Sequence, residues 1–237
     1  MTGNSRVVDH LLLHRECASA IAGVAAIAAL TLWHPCFALA LGARDLAIIS
    51  DIVDMLAIRP GSTVAEIGAG NGAMAVLMAK KIGPAGHVFA TEIDPALVEQ
   101  IRKRARKAGL NNLTAVTATP TDSGIPAGCC DAAYMIGVYH HITDPAATDR
   151  SIFLALKPDG RLLINDFPPT IWLALFKVKG VPANRGGHGV RDNIVIDEVT
   201  AAGFHELKEI RPWHPGFFIR DNYCIVLSRP GDPGSAP

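Results

Sequence analysis

A doubly wound α/β domain built on a seven-stranded, mainly parallel sheet is the fold class this sequence predicts, on three observations. Short apolar runs alternate with amphipathic runs through most of the chain. The first such run leads straight into a glycine-rich loop. Two late strand-like runs bring the strand count to seven. The 237 residues suffice for one sizeable α/β domain with an appendage, and not for two ordinary enzymatic domains.

In chain order, Leu46, Ile49, Val53 and Leu56 recur at helical spacing and stop at an Arg59-Pro60-Gly61 turn. Residues 63–67 read as a short buried strand, 68–72 as a glycine loop and 73–82 as a helix. A second strand spans 87–92, and a second helix spans 95–108 with Pro95 in its first turn. Strands three and four fall at 112–117 and 131–137, followed by a helix at 145–156 and strand five at 161–166. A helix near 193–202 precedes strands near 206–210 and 223–227. Right-handed crossovers would put the parallel strands' C-terminal ends at one edge, where a ligand binds.

The chain divides into a leader of residues 1–43, an α/β domain of 44–229 and a Pro/Gly-rich flexible tail of 230–237. Residues 17–43 contain no Asp, Glu, Lys or Arg, and as a helix would span roughly 40 Å. Three readings stand: a signal peptide with Ala38-Leu39-Ala40 as a cleavage site, an uncleaved anchor, or a buried N-terminal helix. The first two place the protein at the membrane or export it to the periplasm; the third leaves it cytoplasmic.

Lys plus Arg and Asp plus Glu are both 22, so the chain lacks the cation surplus that grips nucleic acid. The run Arg102 to Lys107 reads as a solvated helix face. The five cysteines have no CxxC spacing, which gives neither a disulfide framework nor a zinc signature, and no metal is expected.

The informative segment is Thr63 to Ala73, TVAEIGAGNGA. Glycines after a strand let the backbone approach a ligand closely. GxGxxA also fits a nicotinamide fingerprint, through Gly68, Gly70 and Ala73. Glu66 directly before the glycines would repel a pyrophosphate and favour a cationic ligand with an amino-acid tail. Glu92, 24 residues after Gly68, closes the second strand, where a carboxylate can accept from both ribose hydroxyls.

With these residues in place, the chain resembles the class I S-adenosylmethionine-dependent methyltransferases. Glu66 to Gly72 is similar to the family's first motif and ATEIDP (Ala90 to Pro95) to its ribose-binding motif. DAAYMIGVYHHITDP (Asp131 to Pro145) resembles the fourth-strand segment, its VYHHI being the mark of a bacterial group, and LKPDGRLLINDF (Leu156 to Phe167) resembles the fifth-strand segment. The resemblance covers roughly residues 46–227 and implies a Rossmann-like fold with S-adenosylmethionine as methyl donor and S-adenosylhomocysteine as product. It implies that Glu66 and the loop Gly68, Ala69, Gly70, Asn71 and Gly72 hold the methionine portion. Glu92 would bind the ribose, Ile93 would lie beside the adenine, and Asp122 or Thr119 would contact the adenine amino group.

On the acceptor side, Tyr139, His140 and His141 just past strand four are the catalytic candidates, since imidazole titrates near neutrality. The alternative has one histidine capping the next helix and the other packing under the sheet. Asp166 either orients an acceptor or satisfies backbone donors. Residues 167–191, apolar first and then basic and glycine-rich, form the acceptor-side insertion. The reading is a methyltransferase for a small, lipophilic acceptor. The rivals are an NAD-dependent oxidoreductase and a non-catalytic binding protein of the same fold.

Overall fold

The computed structural model describes residues 42–170, 178–216 and 220–231. The chain splits into two units between Ala47 and Ile48, and the packing below is that of the second. The expected apolar leader lies almost wholly outside the described residues, and so does most of the tail. Among the described residues, no helix is long and apolar enough to cross a membrane.

A helix over residues 42–55 (α1) leads into β1 (Thr63–Ile67) and α2 (Ala73–Ile82). Then come β2 (His87–Glu92), α3 (Pro95–Lys107), β3 (Leu113–Thr117) and β4 (Cys130–Ile136). The chain continues through α4 (Pro145–Ala155), β5 (Leu156–Asp166), α5 (Asp192–Ala201), β6 (His205–Ile210) and β7 (Tyr223–Ser228). Asp94 and Asp144 cap α3 and α4 by accepting from Ala96 N and Ala147 N, each helix opening with a proline whose missing N–H costs nothing there. The helix after the histidine pair is thus capped by Asp144, and neither histidine does that work.

Among the described residues the sheet has seven strands, in the order β3-β2-β1-β4-β5-β7-β6. β1 to β5 pair in parallel, whereas β7 inserts antiparallel between β5 and β6. β5 opens at Leu156, five residues before the predicted start; Asp159 there takes a φ of 63°, and the register against β4 shifts between Cys130 and Ala132.

Side-chain alternation splits β1 between two cores. Val64 packs with Ile49 and Ile52 of α1, Met78 of α2 and Ile101 of α3. Ala65 and Ile67 pack on the other face with Ile152 of α4 and Val195 and Val199 of α5. Both faces are therefore covered, as a parallel sheet requires. The edge strand β6 is exposed and carries Glu206, Lys208 and Glu209, charges that discourage edge-to-edge pairing.

Candidate functional site

The sheet order reverses between β1 and β4, the two strands leaving their shared edge toward opposite faces, and a cavity of ≈ 430 Å³ opens beyond their C-terminal ends. Ile67 at the end of β1 and Gly68 after it, Thr91, Glu92 and Ile93 around the end of β2, and Thr119 and Ser123 after β3 line it. Val138, His141, Ile142 and Thr148 close the β4 side, and Lys179 reaches it from the loop before α5.

The glycine loop explains itself residue by residue. A Cβ on Gly68 would stand 2.7 Å from Val138 Cγ1, and one on Gly72 would stand 2.9 Å from Ile101 Cγ1. Those two glycines allow close packing. Gly70 differs: at a φ of 53° it has nothing within 4 Å of a built Cβ, so it faces open space. Its N–H donates to Glu92 Oε2 at 2.9 Å, and Ile93 N donates to Glu92 Oε1 at 2.8 Å. The carboxylate is thereby fixed at the cavity wall with lone pairs to spare. Ile93 beside it is 59% exposed, a large apolar face at the cavity. Asn71 does local work, its Oδ1 accepting from Ala73 N and its carbonyl from Arg104 Nε. Ala69 is buried and donates to Thr91 O.

Of the expected cofactor residues, then, Gly68, Glu92, Ile93 and Thr119 line the cavity, and Gly70 adjoins it through Glu92. Glu66 does not line it. It shares a strand face with Val64, lies opposite Tyr134 on β4, and is 5% exposed beneath α2. Burial pushes its carboxyl up to about 8. The Tyr134 hydroxyl and the Ala75 N–H pull the other way, but among the described residues no hydrogen bond of ordinary geometry closes on Glu66 Oε2 or on the Tyr134 hydroxyl. Asp122 is a turn residue: its Oδ1 accepts from Gly124 N at 2.9 Å and from Ser151 Oγ at 3.0 Å. Those two bonds, the backbone one first, hold its carboxyl below the usual range.

The three candidates after β4 occupy a 3₁₀ turn, Tyr139–His141, and point to different places. Tyr139 is buried away from the cavity; its hydroxyl donates to Asp149 Oδ2 (2.8 Å) and Glu198 Oε2 (3.0 Å). Arg185 grips Glu198 with two hydrogen bonds and lies 5.4 Å from the Tyr139 ring centroid. Burial pushes Asp149 up to about 7. His140 is buried and donates from Nδ1 to Asp166 Oδ1 at 2.8 Å, while its backbone N–H donates to Asp166 Oδ2 at 3.0 Å. Asp166 therefore serves a side chain and a backbone donor together. His141 alone of the three lines the cavity. Burial first, then the neighbouring His140 and His188, push its imidazole below the ordinary histidine value.

Sequence reasoning did not reach Ser123 or Thr148, and it reached Lys179 and His188 only as members of the basic run in the acceptor-side insertion. The four come from the loop after β3, the first turn of α4 and the loop before α5, with no common spacing. The only signal for His188 was its place in the basic, glycine-rich run before α5.

Residues 64–160 match a family model described as a methyltransferase domain, a stretch that holds every cavity residue named above except Lys179. The chain is similar to a ubiquinone/menaquinone biosynthesis C-methyltransferase of Vibrio vulnificus, 29% identical over 127 residues. That match covers 53% of this chain and 49% of the relative, so the chain spans about half the length of the curated relatives it matches. In three dimensions it is similar to a SAM-dependent methyltransferase from Aquifex aeolicus, with a TM-score of 0.63 at 16% identity over 76% of this chain and 89% of that one. It is also similar to geranyl diphosphate C-methyltransferase from Streptomyces coelicolor A3(2), with a TM-score of 0.62 at 13% identity over 77% and 80%. These likenesses show the fold: a Rossmann-like methyltransferase sheet.

Proposed function

We propose that the chain is an S-adenosylmethionine-dependent methyltransferase that methylates a small, lipophilic acceptor. One observation carries the donor assignment. Glu92 at the end of β2, tied to the Gly70 N–H, stands in one cavity wall beside the exposed Ile93. The residues fit the donor. Glu92 can accept from ribose hydroxyls, Ile93 offers a flat apolar contact to a purine, and the space beyond Gly70 admits a ligand where a side chain would stand.

When bound, the donor supplies a methyl group on a sulfonium, already a good leaving group. The protein's part is then alignment and exclusion of water. Ile67, Val138 and Ile142 give the cavity an apolar wall, and Lys179 sets a cation at its edge. That mixture suits a lipophilic molecule with a polar or anionic end, in keeping with the ubiquinone/menaquinone and geranyl diphosphate enzymes among the similar proteins. His141 is the imidazole turned toward that space. The methyltransferase-domain match weighs against the nicotinamide reading of the same glycines.

The apolar run of residues 17–43 is proposed to hold the protein at a membrane with the catalytic domain on the cytosolic side, where the donor is made. An intact Met1 in a soluble fraction would overturn that placement. The function itself is tested by calorimetry with S-adenosylhomocysteine and sinefungin on folded protein. Binding of both at one site is expected, and no affinity for either would overturn the assignment. A bound donor with no methyl transfer across a panel of quinols, phenols and prenyl diphosphates would favour a binding protein of the same fold.

A further inference from the structure

Three imidazoles converge at the β4 and β5 ends of the sheet. His140 and His141 come from the 3₁₀ turn after β4, and His188 comes from the loop before α5. Their ring centroids lie 4.0 Å (His140 to His141), 4.6 Å (His140 to His188) and 5.3 Å (His141 to His188) apart. One ring nitrogen from each lies within 4.8 Å of the others.

His140 is the fixed member. Its side chain is 3% exposed and its Nδ1 is bound to Asp166, whose own side chain is fully buried. Asp166 also accepts from the backbone N–H groups of His140 and Phe167, so Nδ1 is the donor in this contact and Nε2 is the nitrogen left over for a ligand. That Nε2 is buried and finds no hydrogen-bond partner among the described residues. A carboxylate behind an imidazole, with the far nitrogen left free, is the arrangement that orients histidine toward a metal.

We propose that His140, His141 and His188 bind one divalent transition ion of the zinc class, with Asp166 orienting His140 from behind. A set of three neutral imidazoles suits zinc, cobalt, nickel or iron(II) rather than magnesium or calcium, which take oxygen ligands. Nitrogens about 2.1 Å from a tetrahedral ion stand about 3.4 Å apart, so separations of up to 4.8 Å must close by at most about 1.4 Å. His141 is exposed and His188 half-buried, and rotation of those two side chains closes the gap while His140 stays in place. Three protein ligands leave a fourth position open, and His141 places it beside the cavity. The proposal does not rest on the methyl-transfer reading, because binding is measured directly.

The test uses the full chain without a polyhistidine tag, stripped with chelator. It is titrated with zinc chloride by calorimetry and with cobalt(II) chloride by visible absorption. One equivalent of each is expected to bind, with cobalt developing ligand-field bands of a low-symmetry, four- or five-coordinate site. His188→Ala and His141→Ala should each weaken zinc at least tenfold and abolish the cobalt bands, and Asp166→Asn should weaken zinc roughly 10–100-fold. His205→Ala on the exposed edge strand β6 should change nothing. Circular dichroism confirms the fold of each variant; His141 and His188 are not buried, so their variants carry the test even if Asp166→Asn misfolds. No binding would overturn the proposal. So would binding that survives both His141→Ala and His188→Ala, which would place the ion elsewhere. S-adenosylhomocysteine titrated into the same stripped protein reports on the donor site separately.

Discussion

Replacing Glu66 with glutamine tests whether the buried acid under α2 works against the fold at neutral pH. Burial raises the Glu66 carboxyl from 4.5 to about 8, so the folded state holds a proton that the unfolded chain releases near 4.5. The sign follows. Below about pH 4.5 the acid is protonated in both states and costs nothing. As the pH climbs toward about 8, the unfolded state gains by ionising and the folded state does not, so stability falls by about 1.4 kcal/mol per pH unit. Over that window the loss totals about 5 kcal/mol, an upper figure because relaxation around the charge reduces it. The glutamine side chain has a similar shape and no proton to lose. The difference between the two proteins' unfolding free energies, from urea titration at pH 5, 6.5 and 8, should therefore widen in favour of Glu66→Gln. Asp149, raised to about 7, contributes to both proteins alike and cancels in the difference. A difference that stays flat across those pH values would refute the assignment of a neutral, buried Glu66.

Glu92→Ala should weaken S-adenosylhomocysteine binding by on the order of 1–3 kcal/mol, the loss of one or two hydrogen bonds to a charged acceptor, and an unchanged dissociation constant would remove Glu92 from the donor site. Gly68→Ala forces a side chain onto a φ of 67° and 2.7 Å from Val138 Cγ1; a loss of roughly 1–3 kcal/mol in urea is expected, only partly restored by adding Val138→Ala, and an undiminished stability would disprove the close approach. Arg185→Met removes the two hydrogen bonds that Arg185 gives Glu198, leaving the one from Tyr139, and should cost about 3 kcal/mol, a double-mutant cycle with Glu198→Gln returning the coupling. Independent, additive effects of those two substitutions would show that the pair does not act together.

How far the sequence reaches differs from element to element. β1, the glycine loop and α2 were legible because their signals are local: an apolar run, glycines where φ must be positive, and a helix start. α3 and α4 were legible for the same reason, with Asp94-Pro95 and Asp144-Pro145 marking their first turns. The place of β7 between β5 and β6 was not, because strand order is set by pairing between residues far apart in the chain. Strand parity put Glu66 on the face of Val64. Only the packing of α2 over that face decided that the carboxyl would be buried there and would not reach the cavity that Glu92 lines.

Alternation, turn chemistry and the glycine loop thus determined the α/β class, the strand series and the sheet edge where the cavity opens, and of the two acids only Glu92 stands at that cavity. The three-histidine cluster belongs to tertiary structure alone. His188 lies 47 residues beyond His141, at no spacing that a helix or strand would repeat, and reaches it only because the loop before α5 folds back over the ends of β4 and β5. A local sequence carries the conformational preferences of its own backbone, whereas the meeting of distant side chains depends on how whole layers pack, and that information is spread over the entire chain.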